Sequence, residues 1–258
     1  MNLQMDFTIA DQYNSNSQKI RVITEHWVGS NLFCPYCGND YIRHFENNRP
    51  VADFYCPHCN EEYELKSQNG PVGNKVNDGA YATMLARLEA IRNPNFFFMH
   101  YDKNDMQVKD FIMVPKHFFT KDIIEKRKPL SMSARRAGWV GCNIVLKDIP
   151  QEGRIYLVKN AIAQPVETVL SKVHKMRFIR EYQLDARGWI LDILACVNKI
   201  PLKEFTLEQM YSFVPELERK HPDNHHVRDK IRQQLQILRD KGIIEFIGRG
   251  KYRKEYSA

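Results

Sequence analysis

Two C-x-x-C pairs constrain this chain more than any other feature: Cys34-Pro35-Tyr36-Cys37 and Cys56-Pro57-His58-Cys59, with residues 38–55 between them. Each knuckle brings two thiolates together across a tight turn, and zinc takes four such donors in a tetrahedron. The spacing is of the ribbon type. All four positions are cysteine, so none is left for water, and the metal is expected to hold the fold rather than to catalyse. With four of the six cysteines so paired, the sequence points to a reducing compartment and metal binding rather than a disulfide framework. Cys142 and Cys196 read as small buried residues.

A second pattern is threaded through the first. Pro50-Val51-Ala52-Asp53 precedes the second knuckle and Glu64-Leu65-Lys66 follows it. Residues 51–55 and 62–67 are both strand-like, and the knuckle at 56–59 can serve as the turn between them. Side chains alternate along a strand, so Glu64 and Lys66 face one way and Leu65 the other. A neighbouring strand can put Asp53 beside them. Two carboxylates suit magnesium, which prefers oxygen donors and retains waters. A lysine beside them can orient or deprotonate the attacking water, or offset charge on the transition state. Taken alone, E-x-K is more often a pair of solvated charges on an edge strand. Pro50 and Asp53 upstream, the zinc clip and the basic tail raise the nuclease reading above that.

The chain is long enough for one large or two moderate domains. Its 43% hydrophobic content supports a real core. Lys+Arg number 38 against 31 Asp+Glu, a net +7 that is compatible with nucleic acid without proving it. Most of the excess lies between Arg228 and Lys254, where nine basic residues face three acidic ones, 9 − 3 = +6. The N-terminus lacks the pattern of a signal peptide, and no stretch has the length of a membrane span, so no membrane partner is expected.

The periodicity predicts an N-terminal helix over 18–28, with Ile20, Ile23 and Val28 inward. Asn77-Asp78-Gly79 reads as the lead into a helix over 80–92. Residues 95–101, 111–115 and 154–158 read as strands. A sheet core alternating with helices follows for the first domain. The tail differs. Helical patterns cover 189–197, a start at Thr206-Leu207-Glu208-Gln209, and 224–241 with Val227, Ile231, Leu235 and Leu238 on one face. Gly242 caps the last, and residues 243–247 and 251–256 can pair about a Gly248-Arg249-Gly250 turn. Helices followed by a hairpin is the order of a winged helix-turn-helix. The expected domains are 1–183 and 184–258.

Several blocks resemble one known family along nearly the whole chain. They are Asn47 to Cys56 with Glu64-Leu65-Lys66, Asn77 to Met84, Asn93 to Phe98, Ala134-Arg135-Arg136-Ala137-Gly138-Trp139, Ile231 to Lys241, and Gly248 to Lys254. Together they resemble the DpnI family of methyl-directed restriction endonucleases. The resemblance implies an α/β fold: a PD-(D/E)xK nuclease core with an inserted four-cysteine zinc site, then a C-terminal winged helix-turn-helix. It implies Asp53, Glu64 and Lys66 as catalytic residues. Zinc would be structural on Cys34, Cys37, Cys56 and Cys59. Magnesium would be catalytic on Asp53, Glu64 and the backbone carbonyl of Leu65. The substrate would be double-stranded DNA methylated at adenine N6 in GATC, in the bacterial cytoplasm. The sequence shows no oligomerisation heptad, and a monomer is expected.

For reading that substrate, a recognition helix presents its N-terminal side chains to base edges in the major groove. Asn224, His225, Arg228 and Arg232 are the candidates here, since arginine pairs with guanine and asparagine with adenine. Arg249, Lys251, Arg253 and Lys254 on the wing suit phosphates. An N6-methyl group adds apolar surface in the groove. Trp139, between Gly138 and Gly141 and beside Arg135 and Arg136, is the candidate to meet it, although tryptophan is more often core. Trp189, at helical spacing with Ile193 and Cys196, reads as core. Two alternatives stand beside this reading: a different PD-(D/E)xK nuclease of repair or recombination, and a zinc-containing winged-helix regulator without catalysis.

Overall fold

A computed structural model of the chain describes residues 1–46, 52–89 and 93–255. Pro50 and Val51 of the carboxylate motif lie outside the described residues, as do the last residues of the helix expected over 80–92 and Tyr256 of the expected last strand. Two compact units form: Met1–Lys147 with Glu152–His174, and Asp148–Gln151 with Lys175–Ala258.

The first unit opens with helix α1 (Asn16–Asn31), followed by β1 (Arg43–His44), β2 (Phe54–Tyr55), β3 (Glu62–Asn69), β4 (Lys75–Ala80) and helix α2 (Tyr81–Glu89). Strands β5 (Asn95–Asp102), β6 (Gln107–Val114), β7 (Ile124–Lys126), β8 (Gly141–Val145), β9 (Ile155–Lys159) and β10 (Ile162–Ala163) come next, then helix α3 (Val166–Met176). The main sheet has the order β1-β2-β3-β5-β6-β9-β10, and a smaller one the order β4-β8-β7. Among the described residues of the main sheet, β3 and β5 alone pair parallel, Glu64 opposite Phe96 and Lys66 opposite Phe98.

Alternation along these strands decides what each face carries. Tyr63 on β3 and Phe97 and Met99 on β5 are buried on one face, where Ile23, Trp27 and Val28 of α1 and Val169 and Val173 of α3 join them. Tyr63 stacks on Phe97 with ring centroids 4.6 Å apart, and Trp27 meets Phe111 at 5.6 Å. Phe96 and Phe98 fall on the opposite face, and Phe96 packs against Phe119 at 4.7 Å. Glu64 and Lys66 share that second face. α2 lies toward it, anchored by the buried Met84 and Leu88.

Asn77-Asp78-Gly79 departs from expectation. These residues belong to strand β4, paired with β8, because Val76 is buried and the backbone finds a ladder partner in Ile144 and Asn143. The helix begins only at Tyr81.

The second unit contains α4 (Leu184–Lys199), β11 (Glu204–Thr206), α5 (Leu207–Tyr211), α6 (Val214–Lys220), α7 (Val227–Asp240), β12 (Ile244–Gly248) and β13 (Lys251–Lys254). Thr206 caps α5 in a reciprocal box with Gln209. α7 buries Ile231, Leu235 and Leu238 completely. It ends where Gly242 takes φ +65°, with the Gly242 amide bonded to the Arg239 carbonyl and the Ile243 amide to the Leu238 carbonyl, as in a Schellman turn. Trp189 is a core residue, as expected, stacked on His221 at 3.8 Å. β11 went unread in the sequence. It pairs with β13 and makes the hairpin a three-stranded sheet of order β11-β13-β12. Among the described residues, no helix is long and apolar enough to cross a membrane.

Candidate active site and metal centre

The four paired cysteines converge. Cys34 Sγ lies 3.6 Å from Cys59 Sγ, Cys37 Sγ lies 3.6 Å from Cys56 Sγ, and all four sulfurs fall within 4.8 Å of one another. Sulfurs bound at about 2.3 Å from a common zinc sit roughly 3.8 Å apart in a regular tetrahedron. The cluster can therefore hold a metal such as zinc. Both knuckles make the same turn. The Gly38 amide returns to the Cys34 carbonyl and the Asn60 amide to the Cys56 carbonyl, with Gly38 and Asn60 at φ 79° and 60°. Asn60 is one of the few side chains that tolerate that region.

The second knuckle is the turn joining β2 to β3, paired antiparallel with Phe54 opposite Tyr63. The metal cluster and the carboxylate motif are therefore parts of one hairpin. Glu61, at the end of that turn, is buried. It accepts from Asn95 Nδ2 at 2.9 Å and pairs with Lys116 at 3.1 Å, tying the clip to β5 and the segment after β6.

Asp53 enters β2 beside β3. Its amide donates to the Tyr63 carbonyl at 2.9 Å, and its carboxylate accepts the Leu65 amide at 2.7 Å. Across the strand, Lys66 Nζ lies 2.6 Å from Glu64 Oε1 and 2.5 Å from Asp78 Oδ1. Arg87 of α2 reaches the other oxygen of Glu64 at 3.1 Å. Burial pushes the Glu64 carboxyl above its ordinary range, with Lys66 opposing and Asp78 adding to the rise. Burial likewise raises Asp53; the Leu65 amide opposes it and Glu25 of α1 adds to it. Burial alone would lower Lys66, but Glu64 and Asp78 outweigh it and its ammonium is held above the usual lysine value.

Asp78 and Arg87 were missed in the sequence reading. A signal for Asp78 was available: two residues beyond the apolar Val76, period-two alternation turns it inward. Arg87 had none, because its target lies on a strand distant in sequence.

The residues expected to read DNA divide by location. Arg135, Arg136 and Trp139 lie in the loop between β7 and β8. Trp139 is half-buried, the Arg136 guanidinium sits 4.5 Å over its ring, and the ring edge lies over Gly141. Arg228 and Arg232 are on the first turns of α7, gathered round Tyr211: Arg228 lies 5.0 Å over its ring and Arg232 donates to its hydroxyl at 3.1 Å. Arg232 also pairs with Asp229. Asn224 and His225 precede the helix instead of standing on it, and the Asn224 side chain accepts the His226 amide at 2.9 Å, which ends the helical run there. Arg249 occupies the turn between β12 and β13 and Lys251 the start of β13. Arg253 is paired with Glu204 and Glu245. Lys254, expected on the wing surface, is buried, with its ammonium on the Ile200 carbonyl.

A mixed α/β unit followed by a helix-turn-helix unit describes a DNA-binding protein, and residues 185–254 match the helix-turn-helix domain of the Dam-replacing proteins. Residues 1–182 match the Dam-replacing family typified by DpnI. The chain belongs to the DpnI family, a family of restriction endonucleases, and the resemblance seen in its sequence holds over both parts.

Proposed function

We propose that this chain is a methyl-directed restriction endonuclease with a PD-(D/E)xK core, hydrolysing double-stranded DNA at GATC sites that carry N6-methyladenine. The observation that carries the reading is the meeting of Asp53, Glu64 and Lys66 at one hairpin of a DpnI-family chain. Asp53 and Glu64 offer the hard oxygens magnesium takes. A strand residue's N–H and C=O leave on the same edge, so the Leu65 carbonyl opens toward Asp53, as its amide does. Magnesium, when bound, polarises the scissile phosphate and lowers the pKa of coordinated water. Lys66, held cationic beside these oxygens, offsets charge developing on the phosphate. The Leu65 amide and Arg87 fix the two carboxylates before any ligand arrives.

Zinc on the four cysteines is structural in this reading. The loop with Arg135, Arg136 and Trp139 meets the methyl group, and α7 reads base edges through Arg228 and Arg232. Arg249, Lys251 and Arg253 supply phosphate contacts. The protein acts as a monomer that nicks each strand in turn, in a reducing cytoplasm suited to its free thiols.

The test is digestion of methylated and unmethylated GATC duplexes, with and without magnesium, by the native chain and by Asp53→Ala. Magnesium-dependent cutting of methylated DNA is expected of the native chain alone, with Asp53→Ala still binding the duplex. Equal cutting of both duplexes would favour a repair-type nuclease, and binding without cutting a regulator.

A further inference from the structure

The charge cluster on β3 includes a carboxylate that the nuclease motif does not name. Asp78 stands on β4, in the smaller sheet, whereas Glu64 and Lys66 stand in the main sheet. Its side chain is only 4% exposed, and it forms an ion pair with Lys66 Nζ at 2.5 Å. The ladder to β8 breaks between Asp78 and Ala80, with Asp78 opposite Cys142 and Ala80 opposite Gly141. A bulge of this kind bends the strand and can re-aim a side chain.

Lys66 thus sits between two carboxylates with different duties. Glu64, in the reading above, gives its oxygens to a metal ion, which weakens its hold on the lysine. Asp78 has no such second duty. We propose that Asp78 is a positioning residue: it holds the Lys66 ammonium at the scissile phosphate when Glu64 is engaged by metal. A lysine side chain has four rotatable bonds, and a displacement of about 1 Å at a reacting centre can lower a rate by roughly a hundredfold.

This inference rests on the nuclease reading, and the experiment separates the two. Asp78→Asn keeps the shape and an acceptor oxygen but removes the charge. Single-turnover cleavage of a methylated GATC duplex in magnesium should slow by about tenfold or more. Duplex affinity, measured with calcium in place of magnesium, should stay within about twofold, as should calcium affinity itself. In a Lys66→Met background, Asp78→Asn should slow nicking no further, because its route of action is already gone. Asp78→Glu, which restores a carboxylate, should cut faster than Asp78→Asn and decides the matter if the asparagine variant does not fold. A native rate in Asp78→Asn would overturn the inference. So would a loss of calcium affinity, which would make Asp78 a metal ligand, or an added loss on top of Lys66→Met. Native cutting by Lys66→Met would instead overturn the catalytic place of Lys66, and absence of cutting by the native chain the nuclease reading, whereas an inactive Lys66→Met beside a fully active Asp78→Asn removes the inference alone.

Discussion

Replacing Trp139 by alanine separates a reader of methylated DNA from a core tryptophan. The ring is half-buried; Arg136 lies 4.5 Å over it and its edge rests over Gly141, so what remains accessible is limited. Burying one methyl carbon is worth about 0.8 kcal/mol. A fully methylated palindrome offers two methyl groups close together, or about 1.6 kcal/mol, which corresponds to roughly a tenfold preference. Trp139→Ala should therefore narrow the ratio of cleavage rates on methylated and unmethylated duplexes by about that factor without closing it, the rest falling to α7. Losing the half-buried ring with its cation–π pair should lower stability by about 1–2 kcal/mol, or a melting temperature by roughly 2–8 °C for a unit of this size. Gly141→Ala probes the same ring without removing it. A Cβ there would come within 2.7 Å of two ring carbons, so the ring must move, and the ratio should narrow again. The assay is single-turnover cleavage of both duplexes alongside thermal unfolding. An unchanged ratio with a melting temperature far below that range would return Trp139 to the core and refute the reasoning.

Replacing Cys59 by serine should unfold the β2–β3 hairpin and abolish cleavage, and metal analysis of the native chain should find about one zinc per molecule; a metal-free protein of full activity would contradict the cluster's role. Burial raises the Asp53 and Glu64 carboxyls, so in magnesium-free protein the fold binds more protons than the unfolded chain above about pH 4, and their contribution to stability falls as pH rises through that window. Asp53→Asn should flatten that fall and melt no lower than the native chain at pH 7; a lower melting temperature would argue against a desolvated carboxylate. A fragment of residues 175–258 should fold alone on Ile193, Ile231, Leu235 and Leu238 and bind DNA with steep salt dependence; a random-coil circular dichroism spectrum would refute its independence.

What the sequence made legible was local. Two knuckles, a hairpin turn and the alternation of Glu64, Leu65 and Lys66 all follow from spacing within a few residues, and the structure has them as expected. The amphipathic face of α7 and its glycine cap were equally readable. Strand β4 was not, because Asn77-Asp78-Gly79 carries turn chemistry and its strand state depends on β8, far along the chain. β11 is three residues long and exists through its pairing with β13. Lys254 shows the same limit: nothing local distinguishes a buried lysine with a carbonyl partner from its exposed neighbours.

The parallel pairing of β3 with β5 bears on how the molecule comes to be folded. β3 meets β2 through a tight turn, a contact of short range, but it meets β5 only after a crossover through β4 and α2. Closing a longer loop forfeits more chain entropy, so pairings of high sequence separation form more slowly. Asp53, Glu64 and Lys66 belong to the early hairpin, whereas Asp78 and Arg87 arrive with the crossover. A chain halted after the hairpin has its carboxylates and lysine in place but loose, with neither Asp78 nor Arg87 to hold them. Under the proposed function, competence to cut then waits for the crossover rather than for the hairpin alone.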